Sequence, residues 1–265
     1  MKQAMTKIFC IANQKGGVGK TTTTVNLAAG LAKVGQRVLM VDLDPQGNAT
    51  MGSGVDKRQL KLTVYDVLLE SASIAEAKVT SDKLIAGKCG YDILGANREL
   101  SGAEVELVDL ERREKRLKQA LTEVQDDYDF VLIDCPPSLS MLTLNGLCCA
   151  HGVIVPMQCE YFALEGLTDL VNTIKQVHAN LNRELSIIGL LRVMFDARIT
   201  LQQQVSEQLK AHFGNKVFNT VIPRNVRLAE APSYGVPGVL FDPSSKGAQA
   251  FVAFAQEMVD RNTKS

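Results

Sequence analysis

Asn13-Gln14-Lys15-Gly16-Gly17-Val18-Gly19-Lys20-Thr21-Thr22 decides how the rest of the chain is read. The apolar run before it, residues 7–12, reads as a β-strand, and residues 23–33 after it read as a helix. Glycines let a backbone turn tightly and bring its N–H groups up to an anion. The start of the following helix adds free N–H donors and the positive end of a dipole at the same point. Lys20 can reach β- and γ-phosphates as a point charge, and the Thr21 hydroxyl suits Mg²⁺. The stretch predicts a nucleoside-triphosphate cradle. It departs from the phosphate-loop pattern G-x-x-x-x-G-K-[ST] at the first glycine, where Gln14 stands, and it carries an extra lysine, Lys15, at the loop entrance.

A chain of 265 residues, 46% hydrophobic, is long enough to bury a sizeable core as one domain spanning 1–265. No run approaches the roughly 18 apolar residues of a membrane span, so a soluble, cytoplasmic protein with no membrane partner is expected. Twenty-nine acidic and 29 basic residues cancel, so any DNA affinity must come from a local basic patch. Cysteines 10, 89, 135, 148, 149 and 159 have no C-x-x-C spacing and read as small buried hydrophobes; histidines 151, 178 and 212 read as structural.

Strands and helices alternate, which predicts an α/β fold: a doubly wound, mostly parallel sheet with helices on both faces, as in P-loop NTPases. Residues 36–42 read as a strand ending in Asp42, followed by a loop with Asp44, Pro45 and Gly47. Ligands of open α/β sheets bind beyond the carboxyl ends of the strands, which places both carboxylates near the phosphate loop. Residues 49–109 are irregular, with a helix expected near 63–70 and a strand at 91–94. Residues 110–125 predict one helix with Leu110, Leu117, Leu121 and Val124 on one side. Its Arg112–Arg116 run reads as a solvated face, because Glu111–Lys115 and Glu114–Lys118 are favourable i,i+4 pairs. Residues 129–134 are an apolar strand ending in Asp134 and halted by Pro136 and Pro137, the Walker B arrangement for Mg²⁺. Strands are expected at 152–156, 186–195 and 216–222, and helices at 163–181, 201–213 and 247–261.

Nucleotide hydrolysis needs a phosphate cradle, a Mg²⁺ site and a group that positions water. Gly16, Gly17, Val18, Gly19, Lys20, Thr21 and Thr22 supply the first, and Thr21 with Asp134 the second. Asp44, on a loop past a strand end, can approach the γ-phosphate and the metal; Asp42 is expected to orient that loop or the water shell of Mg²⁺. Guanine-reading Asn-Lys-x-Asp is missing: Asn215-Lys216-Val217-Phe218 lacks the acid, so ATP is the expected nucleotide.

The loop with Lys15 resembles those of the deviant phosphate-loop ATPases, the ParA/MinD family. Residues 41–50, Asp134-Cys135-Pro136-Pro137-Ser138, Met194-Phe195-Asp196-Ala197-Arg198 and residues 222–232 are similar to the chromosomal ParA (Soj) branch. The resemblance implies an ATP-dependent homodimer in which Lys15 reaches the partner subunit's nucleotide. It implies adenine against Pro223 and Asn225, and non-specific double-stranded DNA against Arg198 and Arg227. It also implies a nucleoid-associated role in chromosome or plasmid partitioning, with hydrolysis stimulated by a ParB-like centromere-binding protein. The phosphate loop begins too near the first residue for a preceding helix-turn-helix. Two other readings stay open. A membrane-cycling MinD-like ATPase would need a basic amphipathic tail, which residues 260–265 supply poorly. A metabolic enzyme transferring phosphate or electrons to a small molecule would need a substrate site that the sequence does not display.

Overall fold

The structure, a computed structural model, describes residues 5–161 and 163–263. Its strands are β1 (Lys7–Ile11), β2 (Val38–Asp42), β3 (Val79–Thr80), β4 (Asp92–Leu94), β5 (Phe130–Asp134), β6 (Gly152–Met157), β7 (Ser186–Phe195) and β8 (Val217–Pro223). They form one sheet in the order β3-β4-β2-β5-β1-β6-β7-β8. Every neighbouring pair is parallel except β3–β4, which is antiparallel at the edge.

Alternate side chains of a strand point to opposite faces. Ile8 and Cys10 of β1, with Val131 and Ile133 of β5, therefore join one core, whereas Phe9, Ile11 and Leu132 join the other. The helices are α1 (Lys20–Lys33), α2 (Asn48–Gly52), α3 (Val64–Leu68), α4 (Ile74–Ala77), α5 (Asp82–Ala86), α6 (Leu100–Glu106), α7 (Arg116–Thr122), α8 (Met141–Cys149), α9 (Ala163–Asn180), α10 (Thr200–Phe213), α11 (Val226–Glu230), α12 (Gly238–Phe241) and α13 (Lys246–Thr263). Leu117, Leu142, Leu170 and Leu209 bring α7 to α10 onto the first face. Leu27 and Leu31 of α1, with Phe251, Phe254 and Met258 of α13, cover the second. Helices α1 and α13 approach closely at Gly30, where a Cβ would stand 3.0 Å from that of Ala255 and 3.1 Å from the Phe251 carbonyl.

The expected helix over 110–125 is broken, and this corrects the sequence reading. Arg112 is left-handed (φ 51°), residues 113–115 form a 3-10 turn, and α-helix is confined to 116–122. Asn145, buried in α8, explains the break: its amide donates to the Arg113 carbonyl and accepts from the Leu117 N–H. Glu111 precedes the helix, so its spacing to Lys115 is not a helical turn. Arg116 instead pairs with Glu70 at 2.7 Å and donates to the Glu111 carbonyl. Of the expected core face, Leu117, Leu121 and Val124 are buried, while Leu110, ahead of the helix, is partly buried against the same core. Histidines 151 and 178 serve the backbone: His151 Nδ1 accepts from the Ile8 N–H at 3.0 Å, and His178 Nδ1 lies 2.9 Å from the Leu185 carbonyl.

Candidate active site

The registers Ile11↔Asp134 and Asp42↔Asp134 bring the ends of three adjacent strands level. Ile11 leads into the phosphate loop, so Asp42 and Asp134 stand beside the start of α1. The loop turns on Gly17 (φ 72°) and Gly19 (φ 78°), a region that strains other residues. A Cβ built on Gly16 or Gly17 meets nothing within 4 Å, so this side of the loop faces open space. Helix α1 begins at Lys20, three residues earlier than the sequence suggested, and Thr21 and Thr22 form its first turn.

Thr21 Oγ1 donates to Asp134 Oδ2 and Thr24 Oγ1 to Asp134 Oδ1, each at 2.8 Å. Burial, then the neighbouring Asp42, pushes the Asp134 carboxyl above the ordinary carboxylate range. The Thr21 hydroxyl and the Asp134 carboxylate make a hard oxygen donor set suited to Mg²⁺. Lys20 is buried, which lowers its ammonium from the usual lysine range, with Asp134 opposing the shift; its Nζ donates to the Lys15 carbonyl at 3.1 Å. A buried lysine that donates to a loop carbonyl at the mouth of the glycine loop fits a site built for an anion.

Asp42 is fully buried. Its Oδ2 accepts from the N–H and hydroxyl of Thr50 at 2.8 and 2.7 Å, and its Oδ1 from the Asp44 N–H at 3.1 Å. Strand β2 stops at Asp42, so Asp42 and Asp44 do not share a strand face; the buried acid instead anchors the loop that carries Asp44. Asp44 Oδ1 accepts from the Gln46 N–H at 2.9 Å. Lys57 Nζ donates to the Gln46 carbonyl and closes the loop from outside.

Lys15 extends to Glu160 at 2.7 Å. Both side chains are about half exposed (50% and 47%), so the pair is worth no more than about 1 kcal/mol. Pro223 and Asn225 line a cavity of about 300 Å³ with Gly19, Thr22 and Met194. A larger hollow of about 640 Å³ lies on the other flank of α1, between Thr21, Asn48, Lys57 and Pro237. The smaller one adjoins Gly19 of the phosphate loop and is apolar enough for a base.

Arg198 and Arg227 stand apart from the phosphate loop, each beside an acid. Arg198, 89% exposed, pairs with Asp196 at 2.7 Å; Arg227 pairs with Glu230 at 2.8 Å and Asp242 at 3.5 Å. Their loops meet where the Arg224 N–H donates to the Phe195 carbonyl at 3.2 Å. Sequence reasoning missed Thr24, Thr50, Glu160 and Gln158. Thr24 was recoverable, since i+3 spacing from Thr21 puts it on the same side of α1; the other three carry no local signal.

A phosphate loop between β1 and α1, beside the strand-end carboxylates of the next two strands, β5 and β2, defines a P-loop nucleoside triphosphatase. The AAA domain family matches residues 6–187. The chain belongs to the ParA/Soj family of chromosome-partitioning ATPases. It is 51% identical over 255 residues to the sporulation initiation inhibitor protein Soj of Bacillus subtilis, covering 96% of this chain and 98% of Soj. It is 48% identical over 257 residues to the chromosome partitioning protein ParA of Caulobacter vibrioides, covering 96% and 94%. Among solved structures it is similar to cobyrinic acid a,c-diamide synthase from Mycobacterium smegmatis with a bound ATP analogue and magnesium. That likeness has a TM-score of 0.84 and 39% identity, over 98% of this chain and 96% of the other.

Proposed function

We propose that the chain acts as one domain, an ATP-switched dimer that grips double-stranded DNA without sequence preference and serves chromosome or plasmid partitioning. The observation that carries this reading is the convergence of Thr21, Asp134 and the Asp42-anchored Asp44 loop at one helix start, with Lys15 on the exposed lip.

In this reading Gly16 to Thr22 cradle the phosphates, and Lys20 leaves its loop carbonyl for the β- and γ-phosphates. Thr21 and Asp134 hold Mg²⁺, which when bound neutralises developing phosphate charge. Asp44 orients the attacking water and stays in reach of the metal's shell, while Asp42 fixes the loop from below. Pro223 and Asn225 take adenine. Lys15 exchanges Glu160 for the partner subunit's triphosphate, so that affinity for the third phosphate becomes affinity between subunits. Arg198 and Arg227 then contact DNA phosphates, doubled by the dimer. A ParB-like protein stimulates hydrolysis, and the protein works in the cytoplasm on the nucleoid.

A membrane-cycling role is disfavoured by α13. Its apolar residues Phe251, Phe254, Ala255 and Met258 are spent on packing under the sheet. Residues 264–265 of the tail lie outside the described residues. DNA retardation with ATP, ADP and no nucleotide across a salt series tests the proposal. Retention with ATP alone, weakening as salt rises, is expected; equal retention in all three states would overturn it.

A further inference from the structure

Gln158 follows β6 and reaches two parts of the site at once. One amide nitrogen, Nε2, lies 3.2 Å from the Gly17 carbonyl and 3.1 Å from the Met194 thioether sulfur. A primary amide carries two N–H groups, so it can serve both acceptors together. Met194, just inside the end of β7, is left-handed (φ 51°). A methionine gains no local hydrogen bond from that conformation, unlike Asn or Asp, and keeps it only where its surroundings hold it. Its Cε stands 3.5 Å from where a Cβ on Gly19 would lie, and its side chain lines the 300 Å³ cavity with Pro223 and Asn225.

We propose that Gln158 is a positioning residue for ATP. It holds Met194 in the left-handed form so that the thioether lies against the purine, and it fastens the phosphate loop to that same wall. Thioethers make favourable contacts with aromatic rings. Occupancy of the base cavity is thereby linked to the geometry of the triphosphate cradle. This rests on the assignment of the cavity to the base.

The experiment compares Mg²⁺-dependent affinities of the whole chain for ATP and for inorganic tripolyphosphate, which has no base, by isothermal titration. Wild type should bind ATP more tightly. Gln158→Leu should lose about tenfold for ATP and no more than about threefold for tripolyphosphate, which feels only the released phosphate loop. Met194→Leu, which keeps the volume but removes the sulfur acceptor, should lose ATP affinity in the same direction and keeps the test open should the first variant fold poorly. An equal loss for both ligands, or no loss for either in both variants, would overturn the proposal while leaving the base assignment standing. A wild type that does not distinguish the two ligands would remove the base assignment, and the proposal with it.

Discussion

Asp42 and Asp134 face each other on the adjacent parallel strands β2 and β5, and neither side chain has exposed surface. Burial drives both carboxyls up, Asp134 to about 7, and Asp42 adds to the shift on Asp134. The native state therefore holds protons that the unfolded chain releases near the ordinary carboxylate range. That contribution is present at low pH and is lost as pH rises toward about 7. Asp129, held low by its hydrogen bond to Arg37, acts in the opposite sense and below this window. The urea midpoint of the nucleotide-free protein should thus fall between about pH 4 and pH 7. Asp134→Asn should flatten that fall, and an unaltered slope in the variant would refute the shared burial as its cause.

Thr50 offers a sharper test of the buried acid's hold on the loop that carries Asp44. Its hydroxyl donates to Asp42 Oδ2 and accepts from the Ala96 N–H at 3.0 Å, in a fully buried position. Thr50→Val keeps the shape and strands the Ala96 donor, at a cost of about 1–3 kcal/mol in urea unfolding. Hydrolysis should fall more than ATP affinity, because the loop bearing Asp44 slackens while the phosphate loop is untouched.

Arg198→Ala and Arg227→Ala should each leave ATP turnover alone and weaken DNA retention. Each substitution removes one arginine from both subunits of the dimer, so the slope of log affinity against log salt should become shallower by about 1.8. Because Arg198 and Arg227 already face Asp196 and Glu230, part of their attraction is spent internally. Unchanged slopes for both would move the DNA surface elsewhere.

The strand ends were legible because acid and proline or glycine follow apolar runs at Asp42 and Asp134, and parallel pairing then leaves few ways to arrange them. The phosphate loop was legible because its glycines have one use there. Residues 110–125 misled because helical periodicity is a local signal, whereas the break at Arg112 is imposed by Asn145 from α8. The same holds for Gln158, Glu160 and Thr50. Each acts across at least 36 positions, except for the eight-residue step from Thr50 to Asp42.

In the proposed cycle the third phosphate joins two copies of the chain. Light scattering on size-exclusion fractions of Asp44→Ala, which should bind ATP yet not hydrolyse it, measures this directly. In Mg·ATP the mass should double from 28.8 kDa, and it should stay single in Mg·ADP or when Lys15→Gln is added. An Asp44→Ala protein that remains at 28.8 kDa in saturating Mg·ATP would contradict the claim.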